Sequence, residues 1–445
     1  VYRREDVVFQ KIASLACVAL LGAAPAFGAT FAVTRFDDGS DGACDADCTL
    51  REAVIAANAS PGADTVTLPA GAYDLDVTDA TAGVDEDLAA TGDLDVAGGG
   101  LTLEGAGAAT TEIDATLLGN RIFHVQRAFS SAAITFRGVT LERGDASSLG
   151  SSGGGSAIRI DDSFTGLVVT LDDVVIDKNV GTSAVLTVTT LHVTDCTFSE
   201  NAVGTALELR TAGQNKSTTA ATRIQGTTFR DNDGFAITAV KNENRVHQFE
   251  LFNSTFSGNN ATGASGIDAA IFTTNSAKIW NATIADDGGY GIGALTDAYG
   301  TPLVQLQGNI LRGNAFGNVM PTSATDGAVL PVSSGGNVVS DSGAGLFTQP
   351  NDKVGTNPLL LPLADNGGKT LTYDLDPASP AIDAVTTLVI ASCPATDQRG
   401  EARPQDGNGD MLPVCDAGAV EVPEPGAVAV GCVALVALGL RSRRR

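Results

Sequence analysis

The chain carries 52 Asp and Glu residues, and these carboxylates are its most abundant chemically capable groups. Adjacent pairs stand at Asp161-Asp162, Asp172-Asp173 and Asp286-Asp287. A glycosidase needs two carboxyl groups about 5 to 9.5 Å apart across a sugar bond. Neighbours on a strand point to opposite faces, so each pair is expected to supply one such group and not both. A lyase acting on anionic sugar would need carboxylate-held Ca²⁺ and a basic residue on one face. Lys178, Lys241 and Arg245 are the basic candidates, and nothing in the sequence places them together. His124, His192 and His247 lie in neither a Gly-x-Ser-x-Gly nor a His-Glu-x-x-His context, which argues against a hydrolase triad or a zinc protease. His192 follows Leu191 in an apparent strand and reads as a strand residue. No residue is assigned as catalytic.

One segment has the makings of a cation loop. Asp406-Gly-Asn408-Gly-Asp410 offers oxygens at positions 1, 3 and 5 of a calcium loop, but Met411 and Ala417 stand where Gly and Glu belong. The alternative is a polar turn. Ca²⁺ is the single cofactor suggested, and the same choice applies to Asp37, Asp38, Asp41, Asp45 and Asp47.

The elements that must hold these residues announce themselves by repetition. Seven times a phrase recurs in which a large apolar residue is followed by two mostly polar residues and then Asn or a substitute. Examples are Asp195-Cys-Thr-Phe198-Ser-Glu-Asn201, Gly226-Thr-Thr-Phe229-Arg-Asp-Asn232 and Asn253-Ser-Thr-Phe256-Ser-Gly-Asn259. The apolar position runs through Leu141, Ile176, Phe198, Phe229, Phe256, Ile284 and Leu311, at spacings of 22 to 35 residues. That is the period of a solenoid. The physical solution is an all-β, single-stranded, right-handed parallel β-helix whose coils stack at about 4.8 Å. Phe198, Phe229 and Phe256 then lie above one another. Asn tolerates the left-handed backbone region at a bend, and Asn179, Asn201, Asn232, Asn259 and Asn314 can bond to each other as a ladder. Variable spacing means loops of variable length at one corner, where binding would occur.

Composition agrees. Aromatics are 5% while Gly numbers 52, so the core must stack small and β-branched side chains, with few helices. Without the first 28 and last 20 residues, 20 basic residues face 50 acidic ones. Such a surface repels nucleic acid, anionic lipid and polyanionic sugar unless cations intervene.

Both ends carry targeting signals. Arg3, Arg4 and Lys11 precede the apolar run Ile12 to Leu21, and small residues follow to Gly28. This is the layout of a signal peptide cut by signal peptidase. At the other end Pro423-Glu424-Pro425 leads into fifteen uncharged residues, Gly426 to Leu440, and then Arg441-Ser-Arg-Arg-Arg445. That run spans about 22 Å as a helix, short of about 30 Å of hydrocarbon, with arginines able to snorkel on the cytoplasmic side. In order and position these parts resemble the PEP-CTERM sorting signal. The resemblance implies an exosortase as partner, Pro423, Glu424 and Pro425 as its recognition site, transient passage through the inner membrane, and a Gram-negative cell surface as destination. A plain single-span anchor is the alternative.

Thr49-Leu50-Arg51-Glu52 has the form of a helix capping box, and Leu50, Ala53, Val54 and Ala57 give one apolar helical face. A short helix is therefore expected over the first coil, with Asp64 to Tyr73 as strand, turn, strand. Cys48-Thr-Leu-Arg-Glu-Ala53 resembles the motif of the CSLREA domain, with Thr for Ser. Asn357-Pro-Leu, Leu363-Ala-Asp-Asn-Gly-Gly368, Ser379-Pro-Ala-Ile-Asp383, Asp397-Gln-Arg-Gly400 and Cys415-Asp-Ala-Gly-Ala-Val-Glu421 are similar to the choice-of-anchor Q domain. Together these imply an exported right-handed β-helix and bring no established reaction. Of seven cysteines, Cys17 and Cys432 fall in the terminal signals, Cys44 with Cys48 and Cys393 with Cys415 are natural disulfide pairs, and Cys196 occupies an ordinary repeat position.

The expected organisation is a signal peptide (1–28), an N-terminal cap (29–63), coils (64–350), a C-terminal cap (351–421) and a sorting signal (422–445). The expected function is an exported cell-envelope or matrix protein, structural or in contact with extracellular polysaccharide, without a reaction of its own and without nucleic acid as partner. Alternatives are a polysaccharide lyase or glycosidase on the same scaffold, and an adhesin whose exposed aromatic patch would draw on Trp280, Tyr290 and Tyr299.

Overall fold

The computed structural model describes residues 28–79, 88–126, 133–152, 154–161, 166–211, 220–241, 247–259, 268–296, 301–323, 325, 327–386 and 393–424. The signal peptide (apart from Gly28), Asp162, Arg245, Tyr299, Pro425 and the apolar tail lie outside them. Within them the chain winds as a parallel β-helix. A 20-stranded sheet and a 9-stranded sheet hold the coils, and the pairs within both are parallel. A single α-helix of ten residues stands among the described elements.

Each repeat phrase is a pair of bends around a short strand. Its first residue is left-handed at Gly138, Asp173, Asp195, Gly226, Asn253, Asn281 and Gly308, with φ between 43° and 66°. Its sixth is left-handed again, as at Lys178, Glu200, Asp231 and Asp286. Between them run three-residue strands such as Thr197–Ser199, Thr228–Arg230 and Thr255–Ser257. A left-handed residue with a side chain costs about 1 to 2 kcal/mol, so the bends need support from their neighbours.

That support comes from the asparagines. Asn201 Oδ1 accepts from the amide and Nδ2 of Asn179, Asn232 from Asn201, and Asn259 from Asn232, at 2.7 to 3.4 Å. Each Nδ2 also donates to the carbonyl of a buried residue one coil below, such as Phe198 O for Asn232. Asp287 continues the column and Asn314 Oδ1 accepts from its amide. A second column of this kind joins Asn309 to Asn337 and Asp352.

The apolar position of the phrase faces inward in register. Phe198 pairs with Phe229 and Phe229 with Phe256, the rings stacked at 4.6 and 4.9 Å and within 11° of parallel. At the N-terminal end the helix Leu50–Ala59 carries the full capping box between Thr49 and Glu52, and buries Leu50, Ala53, Val54 and Ala57. Arg51 is buried with it, bonded to Asp38 at 2.8 Å and to the carbonyls of Ala89 and Gly92. Phe347 is the last side chain of the main core cluster.

Beyond Phe347 the strand Lys353–Val354 adds one more parallel rung beside Val338–Val339, and the chain then turns back along the flank of the stack. Leu360–Ala364 and Thr372–Leu375 form an antiparallel pair, and the strap they begin lies over the outer face of the short strands. Both cysteine pairs are bonded, with Cα separations of 4.3 Å for Cys44–Cys48 and 6.1 Å for Cys393–Cys415. Disulfides of this kind belong to oxidising compartments.

Candidate functional site

The third residue of the phrase points outward, and Thr197, Thr228, Thr255 and Thr283 form a row along the short strands. The strap reads three of them. Thr228 donates to Leu371 O, Gln398 bridges Thr228 and Thr255 at 2.9 and 2.7 Å, and Thr283 accepts from the amide of Ala419. Coils from Gly226 to Gly308 are thus covered on this face, and among the described residues Thr140, Val175 and Thr197 on the preceding coils have no hydrogen bond to the strap.

At the border of the covered region acidic and basic groups converge. Both residues lie in the middle of the strand Val168–Asp177, which Asp173 interrupts with a left-handed bend. The bend turns both carboxylates outward, to Arg137 at 2.9 Å and to Lys369 of the strap at 2.9 Å. Alternation along a strand therefore does not hold for this pair, because the second residue is no longer in extended backbone. Asp195 fills the same bend one coil on, and its Oδ1 lies 2.2 Å from where a Cβ on Gly226 would be, so a side chain there would displace the Asp195 carboxylate. Burial first, then Asp172 and Asp173, push the Asp195 carboxyl up; Lys369 opposes them. Bonding to Asp173 raises Lys369 in turn.

Two clusters could hold a cation by their geometry. Glu112, Asp114 and Glu142 have oxygens within 4.8 Å of one another, as do Asp93, Asp95 and His124 through their ligand atoms. In the first, the Arg143 guanidinium bonds Asp114 at 2.8 Å and Glu142. Burial works to raise Asp114, and the Thr116 bonds and Arg143 outweigh it, holding that carboxyl low. In the second, Arg121 sits 3.0 Å from Asp93, Gln126 bonds Asp95, and His124 lies between Asp95 and Asp161 at 3.5 and 3.4 Å. Burial acts to raise Asp161 too, but His124 and Arg159 bring it down to about 2. In both clusters a protein guanidinium, Arg143 in the first and Arg121 in the second, already bonds the carboxylates.

The remaining residues singled out from the sequence are dispersed. Asp406 accepts from the amides of Gly409, Asp410 and Met411, and Asn408 accepts from Asp410, so the loop's oxygens serve its own backbone. Lys178 bonds Asp177 beside the Asn ladder, while Lys241 follows the second-sheet strand Phe235–Val240. Pro423 and Glu424 are exposed. His192 is exposed on its strand, and His247 is buried between Thr222 and Arg210 O, with burial lowering it to about 4. Cys196 is buried and unbonded to other cysteines. Trp280 belongs to the first sheet and Tyr290, against Phe316, to the second, so the two do not form one aromatic patch.

Sequence reasoning missed the bend cluster, since Asp173 and Lys369 are 196 residues apart. It also passed over the repeated Thr, whose regular recurrence was the available signal.

With this geometry in view, likenesses among solved structures become informative. The crystal structure of pectate lyase Pel9A superposes with a TM-score of 0.50 over 88% of this chain and 96% of that one, at 13% identity. The fold is that of a pectate-lyase β-helix. Weaker overlaps are found with Geobacillus virus E2 ORF18 (TM-score 0.37, 17% identity, 65% and 60% of the two chains). Another is the catalytic domain of a GH87 α-1,3-glucanase in complex with nigerose (TM-score 0.25, 12% identity, 68% and 70%). No family model matches the sequence, and no curated protein does. Likeness at these identities speaks for fold alone.

Proposed function

We propose that this chain is an exported, surface-attached β-helix protein that contacts extracellular glycan along the outer faces of its coils and performs no reaction there. The observation that carries this reading is the open face bordering the strap, where Arg137, Asp172, Asp173 and Lys369 lie as opposed charges on neighbouring coils. Ion-paired planar groups on a rigid scaffold suit hydroxyl recognition. The excess of acid over base favours uncharged or amino-bearing glycans over uronates. Retention of the protein on immobilised neutral polysaccharide, without release of reducing or unsaturated ends, is the expected result; failure to be retained by any glycan sinks the reading.

A glycosidase is the second reading, favoured by the raised Asp195 carboxyl beside Asp172 and Asp173. It requires glycan cleavage that falls at least about a hundredfold in Asp195→Asn. The first reading requires that no cleavage occur in either protein.

Export rests on the N-terminal charged and apolar segments and on the two disulfides. Attachment rests on the PEP-CTERM-like residues from Pro423 onward, which would make the protein an exosortase substrate. Membership of the CSLREA and choice-of-anchor Q groups rests on the motifs quoted from the sequence. Intact mass of the exported protein should show loss of the tail near Pro425; a mature form that keeps Arg445 excludes processing. No described helix is long and apolar enough to cross a membrane.

A further inference from the structure

On the outer face of the first sheet, away from the strap's Thr row, lies a cavity of about 200 Å³. Phe249 and Ala277 form its floor, and Gln248, Glu250, Lys278 and Gln305 stand around it. The register explains why they meet: Glu250 pairs with Lys278 and Lys278 with Gln305, one residue from each of three successive coils. Their side chains therefore rise side by side at about 4.8 Å intervals.

We propose that this cavity is a binding pocket for one uncharged sugar ring of a polysaccharide. This deepens the glycan reading above and rests on it. The volume is below that of a drug-sized site and suits a single ring. Two amides, a carboxylate and an ammonium supply donors and acceptors in planar or compact form for neighbouring hydroxyls. Leu303, 52% exposed at the rim, offers an apolar wall for the ring's C–H face. Lys278 bonds Glu250 at 2.7 Å, so the pocket is charge-balanced and gains nothing from a charged ligand. The chain's one tryptophan stands beside it: Lys278 Nζ is 5.4 Å from the Trp280 ring, whose edge-on partner is Phe252. The Trp280 indole N–H is buried and has no acceptor among the described residues.

Emission of Trp280 therefore reports on this pocket. The full chain is titrated with oligosaccharides of glucose, mannose, xylose and galacturonic acid, while calorimetry records binding anywhere on the protein. At least one neutral series should shift the emission saturably, with the galacturonate series bound at least about tenfold more weakly. Gln305→Ala and the isosteric Glu250→Gln should each weaken that binding about tenfold, and Thr170→Ala, on the same row three coils away, should leave it unchanged. Circular dichroism confirms that each variant folds. Calorimetric binding with flat emission and unaltered variants overturns the pocket and leaves the glycan reading standing. Equal or tighter binding of galacturonate overturns the choice of an uncharged ring, and no binding by either method overturns both.

Discussion

Asp287 takes the place in the ladder that Asn259 and Asn314 fill in the coils on either side. Its Oδ1 accepts twice from Asn259, at 2.8 and 2.9 Å, while Oδ2 is buried without a partner among the described residues. Burial pushes the carboxyl up to about 7 against an ordinary value of 3.8. A folded pKa above the unfolded one means that the native state binds the extra proton between about pH 4 and pH 7. This group's contribution is therefore fully present below about pH 4 and is lost progressively as pH rises from there through about 7. Asp287→Asn should raise stability by about 1 to 3 kcal/mol at pH 8 and change little at pH 4, read from thermal melts. A lower melting temperature at pH 8 would refute the account. The ladder asparagines were recognisable because they recur. The titration of Asp287 was not, because only the fully enclosed position of that corner makes the carboxylate costly.

At the scale of elements the helix Leu50–Ala59 and the strap differ in how far apart their partners lie. Thr49 and Glu52 are three residues apart, so their capping box is written in the local sequence. Gln398 meets Thr228 across 170 residues and Thr255 across 143, which no local pattern encodes. Gln398 is 4% exposed and also bonds Thr370. Gln398→Ala should release the strap at a cost of about 2 to 3 kcal/mol, seen as faster proteolytic clipping after residue 357 with the coils intact. Clipping at the wild-type rate would show that the strap is held elsewhere. Asp416 lies in the same strap and is pushed up to about 7 by burial, then Glu421. By the same sign as Asp287, clipping should quicken as pH rises from about 4 to 7 and level off above it. A rate independent of pH across that window would remove Asp416 from the account.

Across the whole molecule, stability is a sum of coils and the contacts between neighbours. Phe229 is stacked on both sides and fully buried. Phe229→Ala should cost about 3 to 5 kcal/mol. A cost below about 1 kcal/mol would mean that the aromatic stack adds nothing to the coil interface. The sequence by itself determined the coil, its inward column, its bends and the cap, since each depends on residue type at a fixed short spacing that recurs. Only the tertiary structure decided which outer residues meet: Asp172 and Asp173 turned the same way at a bend, Lys369 returned to them by the strap, and Glu250, Lys278 and Gln305 aligned across coils. The physical reason is that coil register converts separations of 22 to 35 residues into a few ångströms, and loop lengths, which the repeat leaves free, set that register.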